Sequence, residues 1–238
     1  MTDAHKLAEI ASRTEEFMAN EATKPFGWDP AYFVEWATIA AMLQAVSIGR
    51  GAHVVDLGCG PGWTTLFLAE AGYDALGLDL VPANVDVARD RAARWGSSAR
   101  FEVADLEALE PAGSPFEAAL LFEALHHCAH QEAVLTGAAG QLRPGGWLLV
   151  GEPTWLHRLS PGARRARREL GWRERGIGLR RLRRDLDAAG FGELRRFFAP
   201  THPYEGRLRG FAWQLARLVG ANVAAAPHGH LWVAARRR

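Results

Sequence analysis

Ten residues, Val54-Val55-Asp56-Leu57-Gly58-Cys59-Gly60-Pro61-Gly62-Trp63, constrain this chain more than any others. Val54 to Leu57 is a short apolar run that reads as a strand of a parallel sheet, because helices on both faces favour β-branched residues along its whole length. A glycine-rich turn follows, and Trp63 to Ala71 then carries a helical pattern that stops at Gly72. Strand, glycine turn and helix, in that order, present backbone N–H groups and a helix N-terminus to a ligand.

Two nucleotide-type readings compete for such a unit. A dinucleotide fold wants G-x-G-x-x-G, with the third glycine letting the helix pack close to the strand. Here the glycines are Gly58, Gly60 and Gly62, so the third comes one residue early and Trp63 takes the dinucleotide position. Asp56 also stands two residues before the first glycine. A carboxylate there faces a pyrophosphate badly but suits a cationic amino-acid ligand. The pattern Asp-x-Gly-x-Gly-x-Gly resembles the first motif of the class I S-adenosylmethionine-dependent methyltransferases.

Two later acids strengthen that resemblance. Ala75 to Asp79 reads as the second strand and ends in an acid 23 residues after Asp56. A carboxylate at that strand end accepts hydrogen bonds from a ribose diol in dinucleotide enzymes and methyltransferases alike; its bland alternative is a cap for the helix Pro82 to Trp95. Phe101 to Leu106 gives the third strand and the third acid, Asp105, which in the resembled family accepts a hydrogen bond from the adenine amino group. Phe116 to Phe122 is the fourth strand. Glu123-Ala124-Leu125-His126-His127 after it resembles the E-x-x-x-H segment of ubiquinone-type and sugar or natural-product methyltransferases, with His127 on the family's histidine. After a helix over 131–141, Leu142-Arg143-Pro144-Gly145-Gly146 is similar to the family's L-x-P-G-G opener of strand five. A last helix over 182–191, strand six over 194–199 and strand seven over 231–235 complete the pattern.

The expected fold is therefore α/β: a doubly wound, seven-stranded, mostly parallel sheet, Rossmann-like in the methyltransferase manner. Residues 1–50 are expected to form a helical cap (a helix over 8–19, a breaker-rich loop over 24–30, a helix over 31–46). Residues 51–199 form the cofactor-binding core. Residues 200–238 supply a substrate-side insertion, acting as a lid, and the last strand. The resemblance implies S-adenosylmethionine as cofactor, along Asp56, Gly58, Cys59, Gly60 and Trp63. Its ribose lies at Asp79 and Leu80, its adenine at Asp105 and Leu106, and its methyl donor near Phe122. Phe26, Trp28, Tyr32, Trp155, His202 and Tyr204 are the candidate acceptor-lining residues, although aromatics at helical spacing also suit plain packing.

Methyl transfer from a sulfonium is an in-line displacement, so positioning and desolvation carry most of the catalysis. What remains is the acceptor's proton, and a histidine with pKa near ~6.5 suits its removal at neutral pH. His127 and then His126 are the candidate bases, with Glu123 and Glu152 as fallbacks and His202, His228 or His230 as contributors from the insertion. His126, His127 and His130 also invite a metal reading. Neither Cys128 nor a nearby carboxylate completes a familiar ligand set, so no metal is expected.

Composition narrows the partners. Lys+Arg of 28 against Asp+Glu of 27 leaves a net charge of +1, without the field of a nucleic-acid-binding protein. Residues 158–184 hold 11 arginines but only Trp172 as an interleaved aromatic, which fits a solvated helix face, or contacts to an anionic acceptor, better than a nucleic-acid surface. Two cysteines make no disulfide framework, no apolar run approaches 18 residues, and the acidic N-terminus does not resemble a signal peptide. The cytoplasm is the expected compartment, a small molecule the expected acceptor, and monomer or homodimer the expected state. The resulting expectation is a bacterial O-methyltransferase of secondary or sugar metabolism. The rivals are N-methylation of a small amine and a cofactor-binding scaffold with non-transfer chemistry. Nucleic-acid methylation is disfavoured because no Asn-Pro-Pro-Tyr type motif follows Phe122.

Overall fold

A computed structural model describes residues 4–12, 19–27, 31–111, 115–197 and 230–238. The central sheet has seven strands in the order β3-β2-β1-β4-β5-β7-β6. These are β1 (His53–Leu57), β2 (Asp74–Asp79), β3 (Arg100–Val103), β4 (Phe116–Phe122), β5 (Leu142–Pro153), β6 (Phe191–Phe197) and β7 (His230–Arg237). Strands β1 to β5 pair in parallel, whereas β7 runs antiparallel to both β5 and β6. The helices are α1 (Ala4–Ala11), α2 (Ala31–Ala45), α3 (Trp63–Glu70), α4 (Pro82–Trp95), α5 (Gln131–Gln141), α6 (Pro161–Arg165) and α7 (Leu179–Ala188).

The period of two along each strand explains why the central strands are apolar throughout. Val55 and Leu57 of β1, Ala119 and Leu121 of β4, Leu148 and Val150 of β5 and Val233 of β7 pack with Val134, Leu135 and Ala138 of α5 and Leu182 and Leu186 of α7. Their alternates Val54, Ala118, Leu120, Trp147, Leu149 and Trp232 pack with Ile39, Met42 and Leu43 of α2 and Leu68 of α3. Both faces are covered, so neither set of positions tolerates polarity. Among the exceptions are Asp56 of β1, Asp79 of β2 and Glu152 of β5, all buried.

Strand order reverses between β1 and β4, and in such sheets the crevice at the carboxyl ends of the strands is where ligands bind. The glycine turn, Asp79, and the segment after β4 all lie at that end. Three boundaries differ from the sequence reading. The third strand stops at Val103, because Asp105 leaves the sheet to cap a short turn at Leu106–Ala108, accepting from the Glu107 N–H at 3.0 Å. Helix α7 stops at Ala188, and Gly190 at φ 93° lets the chain turn so that Phe191 is buried as the first residue of β6. The first helix is Ala4–Ala11 rather than 8–19, of which 13–18 lie outside the described residues. The insertion 200–228 also lies outside them.

Candidate active site

The turn after β1 is tied down before any ligand arrives. Gly58 and Cys59 donate their N–H groups to the Leu78 carbonyl at 2.7 and 3.0 Å, and Gly62 donates to the Cys59 carbonyl at 3.0 Å. Gly58 at φ 81° has no room for a side chain, since a Cβ there would stand 2.4 Å from that of Ala124. The turn and the segment after β4 therefore touch. Gly60, at φ 53°, faces open space instead.

Asp56 lies beneath the turn rather than on the cavity wall. Its buried carboxylate accepts from the Thr64 and Thr65 hydroxyls at 2.5 and 2.7 Å, which pins the first turn of α3 to the end of β1. Burial pushes its pKa up to about 6, against the pull of the two hydroxyls, and the charge of Asp79 adds to the rise. Asp79 is on the wall. It accepts from the Gly60 N–H at 2.8 Å, the Val81 N–H at 2.9 Å and the Asn84 amide at 2.8 Å.

These groups surround one cavity of about 520 Å³, a size typical of small-molecule sites. Gly58, Cys59, Gly60, Trp63, Asp79, Leu80, Asp105, Leu106, Phe122, Glu123, His126, His127 and Tyr32 all line it. Phe26 does not: it is 65% exposed and sits against Phe33, Phe67 and Trp95. Trp155 is 49% exposed and outside the lining. Trp28, His202, Tyr204 and His228 lie outside the described residues.

Several lining residues carried no clear signal in the sequence. Lys6 of α1 bridges Asp105 at 2.7 Å and Glu107 at 2.9 Å, so the first helix reaches over the expected adenine side. Trp172 holds the end of that helix through an indole N–H to Ser12 at 3.0 Å. Lys24 pairs with Glu21 at 2.9 Å and lies 5.3 Å from the Tyr32 ring centre. Asn84, also unassigned by the sequence reading, is an amide in the first turn of the helix that follows Asp79 and donates to it at 2.8 Å.

The segment after β4 is organised by a carboxylate from β5. Glu152, fully buried, accepts from the backbone N–H groups of Ala124, Leu125 and His126 at 2.9, 2.7 and 3.3 Å. It also accepts from Nδ1 of His126 at 2.8 Å, and four donors balance its desolvation. A carboxylate only accepts, so Nδ1 carries a proton and Nε2 is turned toward Glu174, 3.7 Å away. Burial opposes a charge on His126, but the hydrogen bond and charge of Glu152, with the charges of Glu174 and Glu123, outweigh it and raise its pKa.

Glu174 comes from the arginine-rich run, and the fold bolts it in place. Arg175 donates its N–H to the His126 carbonyl at 3.2 Å, and Ile177 donates to the Pro153 carbonyl at 2.8 Å. Gly176 lies so close to the Thr154 carbonyl that a Cβ would overlap it at 1.9 Å. Glu174 accepts from His157 Nε2 at 2.8 Å and stands 3.6 Å from Nδ1 of His127, which is itself 3.0 Å from the Arg173 carbonyl oxygen. Burial works to raise the Glu174 pKa, but the His157 hydrogen bond and the charges of His127 and His126 leave it lowered. Most remaining arginines of the run are surface groups; Arg165 and Arg168 share Glu169, and Arg181 reaches Glu132 and Asp185.

Comparison with known proteins sets the chain among methyltransferases. Residues 54–146 match the family described as a methyltransferase domain. The ubiquinone biosynthesis O-methyltransferase of Sinorhizobium fredii is 35% identical over 101 residues, covering 42% of this chain and 41% of that protein. The trans-aconitate 2-methyltransferase of Delftia acidovorans is 33% identical over 135 residues, covering 53% and 49%. The chain thus spans about half the length, or less, of these curated relatives. Among solved structures, magnesium protoporphyrin IX methyltransferase from Synechocystis PCC 6803, with bound SAH, superposes with a TM-score of 0.68 at 18% identity, covering 99% of this chain and 100% of that one. At that identity the likeness is one of fold.

Proposed function

We propose, from the premise that this chain belongs to the class I S-adenosylmethionine-dependent methyltransferases, that it methylates a hydroxyl of a small molecule. The acceptor we favour is a sugar or natural product of bacterial secondary metabolism. S-adenosylmethionine supplies an electrophilic methyl group on a sulfonium and leaves as S-adenosylhomocysteine.

The residues of the crevice fit that cofactor. Gly60 leaves an open cradle in which any Cβ would take up ligand space. Asp79, already fixed by Gly60, Val81 and Asn84, keeps a lone pair on Oδ2 for a ribose hydroxyl, and Asp105 and Leu106, which line the same cavity, would take the adenine side. Lys24 and Tyr32 flank the cavity with a cation and a phenol, chemistry suited to an amino-acid carboxylate. Residues 51–199 then act as the cofactor core, while 1–50 and 200–238 shape the acceptor side.

The observation that carries the hydroxyl reading is the pair of imidazoles on the cavity wall, His127 and His126, beside the turn that Gly58 presses against Ala124. His127 is our first candidate to receive the acceptor's proton and His126 the second, with Glu152 holding the latter in orientation. Arg173 lines the same cavity, and its buried Nε has no hydrogen-bond partner among the described residues, so an anionic group on the acceptor would meet it. Glu123 and Glu174 on the same wall favour, as a second reading, an amine acceptor and N-methylation.

Labelled methyl transfer into a size-fractionated bacterial extract tests the proposal. Label in a small, base-stable product whose mass spectrum places the methyl on oxygen supports it; label on nitrogen selects the second reading. Label in RNA or protein sinks both. A His127→Ala variant is expected to lose about 10²–10⁴-fold in kcat while binding the cofactor normally.

A further inference from the structure

We propose that His126, His127 and Glu174 form a binding site for a divalent transition-metal ion on the wall of the cavity. One donor atom from each of the three lies within 4.8 Å of the others. His126 Nε2 stands 3.7 Å from Oε2 of Glu174 and His127 Nδ1 3.6 Å from Oε1, so the carboxylate faces both rings; Nδ1 of His127 donates to the Arg173 carbonyl at 3.0 Å, a proton that the ion would displace. With metal–ligand bonds of ~2.0–2.1 Å the donor–donor edge of a tetrahedral site is roughly 3.3 Å, so small rotations of the rings and carboxylate would form the shell. His157 Nε2, 2.8 Å from the same carboxylate, is placed either to join as a fourth ligand or to hold Glu174 from behind.

The surroundings have the layout of a metal centre. The His126 ring donates its Nδ1–H to buried Glu152 at 2.8 Å, which orients the ring with Nε2 toward Glu174. Glu174 draws a positive charge into this volume, either a proton on Nε2 or the ion that displaces it. The loop that carries Glu174 is anchored to the His126 and Pro153 carbonyls and fitted against Thr154 by Gly176, so the carboxylate is held from both sides. Sequence spacing missed this site because its carboxylate comes from a segment beyond strand five. Imidazole and carboxylate together suit Zn²⁺ or Fe²⁺; Mg²⁺ and Ca²⁺ prefer shells of oxygen. Cys128, whose thiol faces the Ala124 carbonyl at 3.5 Å, stands apart from the cluster.

Metal binding rests on this cluster alone; only its use rests on the transfer reading above. An ion here would bind the acceptor oxygen and lower the pKa of its hydroxyl so that the proton passes to water; His126 and His127 would then be ligands, and the base role proposed above would belong to the ion-free protein.

The test uses untagged protein, stripped with a chelator and dialysed, then titrated with Co²⁺ by visible absorption and with Zn²⁺ by calorimetry. One equivalent per chain is expected, with affinity falling at least 100-fold in His127→Ala and in Glu174→Gln. Glu152→Gln is expected to weaken binding by about 10–100-fold. Thermal melts of each variant separate lost binding from lost folding, and the wild-type titration decides even if every variant unfolds. No uptake by the folded wild type, or uptake unchanged in folded His127→Ala and Glu174→Gln, overturns the proposal. Methyl transfer by protein that takes up no ion defeats the metal site and keeps the transfer reading. Uptake with no transfer to any acceptor does the reverse.

Discussion

Glu123 and His230 meet at 3.0 Å across 107 residues of sequence, joining the end of β4 to the start of β7. Glu123 takes φ 49° to do so, and the His230 ring stacks on Phe122. Burial opposes charge on both, but their mutual hydrogen bond and attraction win. The Glu123 pKa falls and that of His230 rises from 6.5 to about 9, with Glu35 and Glu152 adding to the rise.

A raised histidine pKa stabilises the fold fully below its unfolded value and loses that contribution as pH climbs through the folded value. His230→Gln is therefore expected to melt roughly 2–10 °C below wild type at pH 6, on the scale of a charged hydrogen bond. The gap between the two proteins should close between pH 6.5 and 9. A gap that stays constant over that window would show that the pair is not ionised as described.

Asp56 predicts a slope of the opposite origin. Its carboxyl titrates near 3.8 unfolded but about 6 folded, so the fold favours the protonated form and loses stability as pH rises between those values. Asp56→Asn, neutral throughout, should gain on wild type by on the order of 2–3 kcal/mol from pH 4 to pH 6. Urea unfolding at several pH values measures it, and parallel curves would refute the assignment.

A ligand measurement tests the placement of the cofactor at Asp79. Asp79→Ala removes a carboxylate that already orders Gly60, Val81 and Asn84. Affinity for S-adenosylhomocysteine, measured by calorimetry, should fall about 10–100-fold on the scale of one or two charged hydrogen bonds. Unchanged affinity in a folded variant would remove Asp79 from the site.

Gly62 and Gly60 should separate stability from binding. A Cβ at Gly62 would meet Ala88 and Phe101 at 2.7 Å, with φ at 81°, so Gly62→Ala should cost about 2 kcal/mol or more in thermal unfolding. A Cβ at Gly60 meets nothing. Gly60→Ala should cost only about 1 kcal/mol for its positive φ, yet weaken cofactor binding by more than Gly62→Ala does.

The central strands β1, β2, β4, β5 and β7 were legible because burial on both faces writes apolar runs, and the glycine turn because glycine takes positive φ most readily. Asp79 and Asp105 were legible as acids at strand ends. Asp56 was equally visible, but a pattern cannot distinguish a carboxylate facing a ligand from one that holds Thr64 and Thr65 underneath. Glu174, Lys6 and Lys24 were hidden for a different reason. Each reaches the cavity from a segment with no periodicity linking it to the core, and Glu174 sits in a run whose charge reads as solvated surface. Phe26 was misleading because an aromatic in a breaker-rich loop looks like an acceptor-lining residue, whereas here it joins a cluster with Phe33, Phe67 and Trp95.

The position of β7 between β5 and β6 has a temporal side. Each of β2 to β5 pairs with a strand that precedes it in the chain, so its partner has been synthesised before it. Strand β6, ending at Phe197, has no place in the sheet until His230–Arg237 has been made and inserted beside β5. Pairing at so large a sequence separation is slow, since loop closure precedes any reward. Until then the nascent chain carries β5 with one side unpaired, a waiting period during synthesis in which another strand, or a chaperone, can occupy the slot.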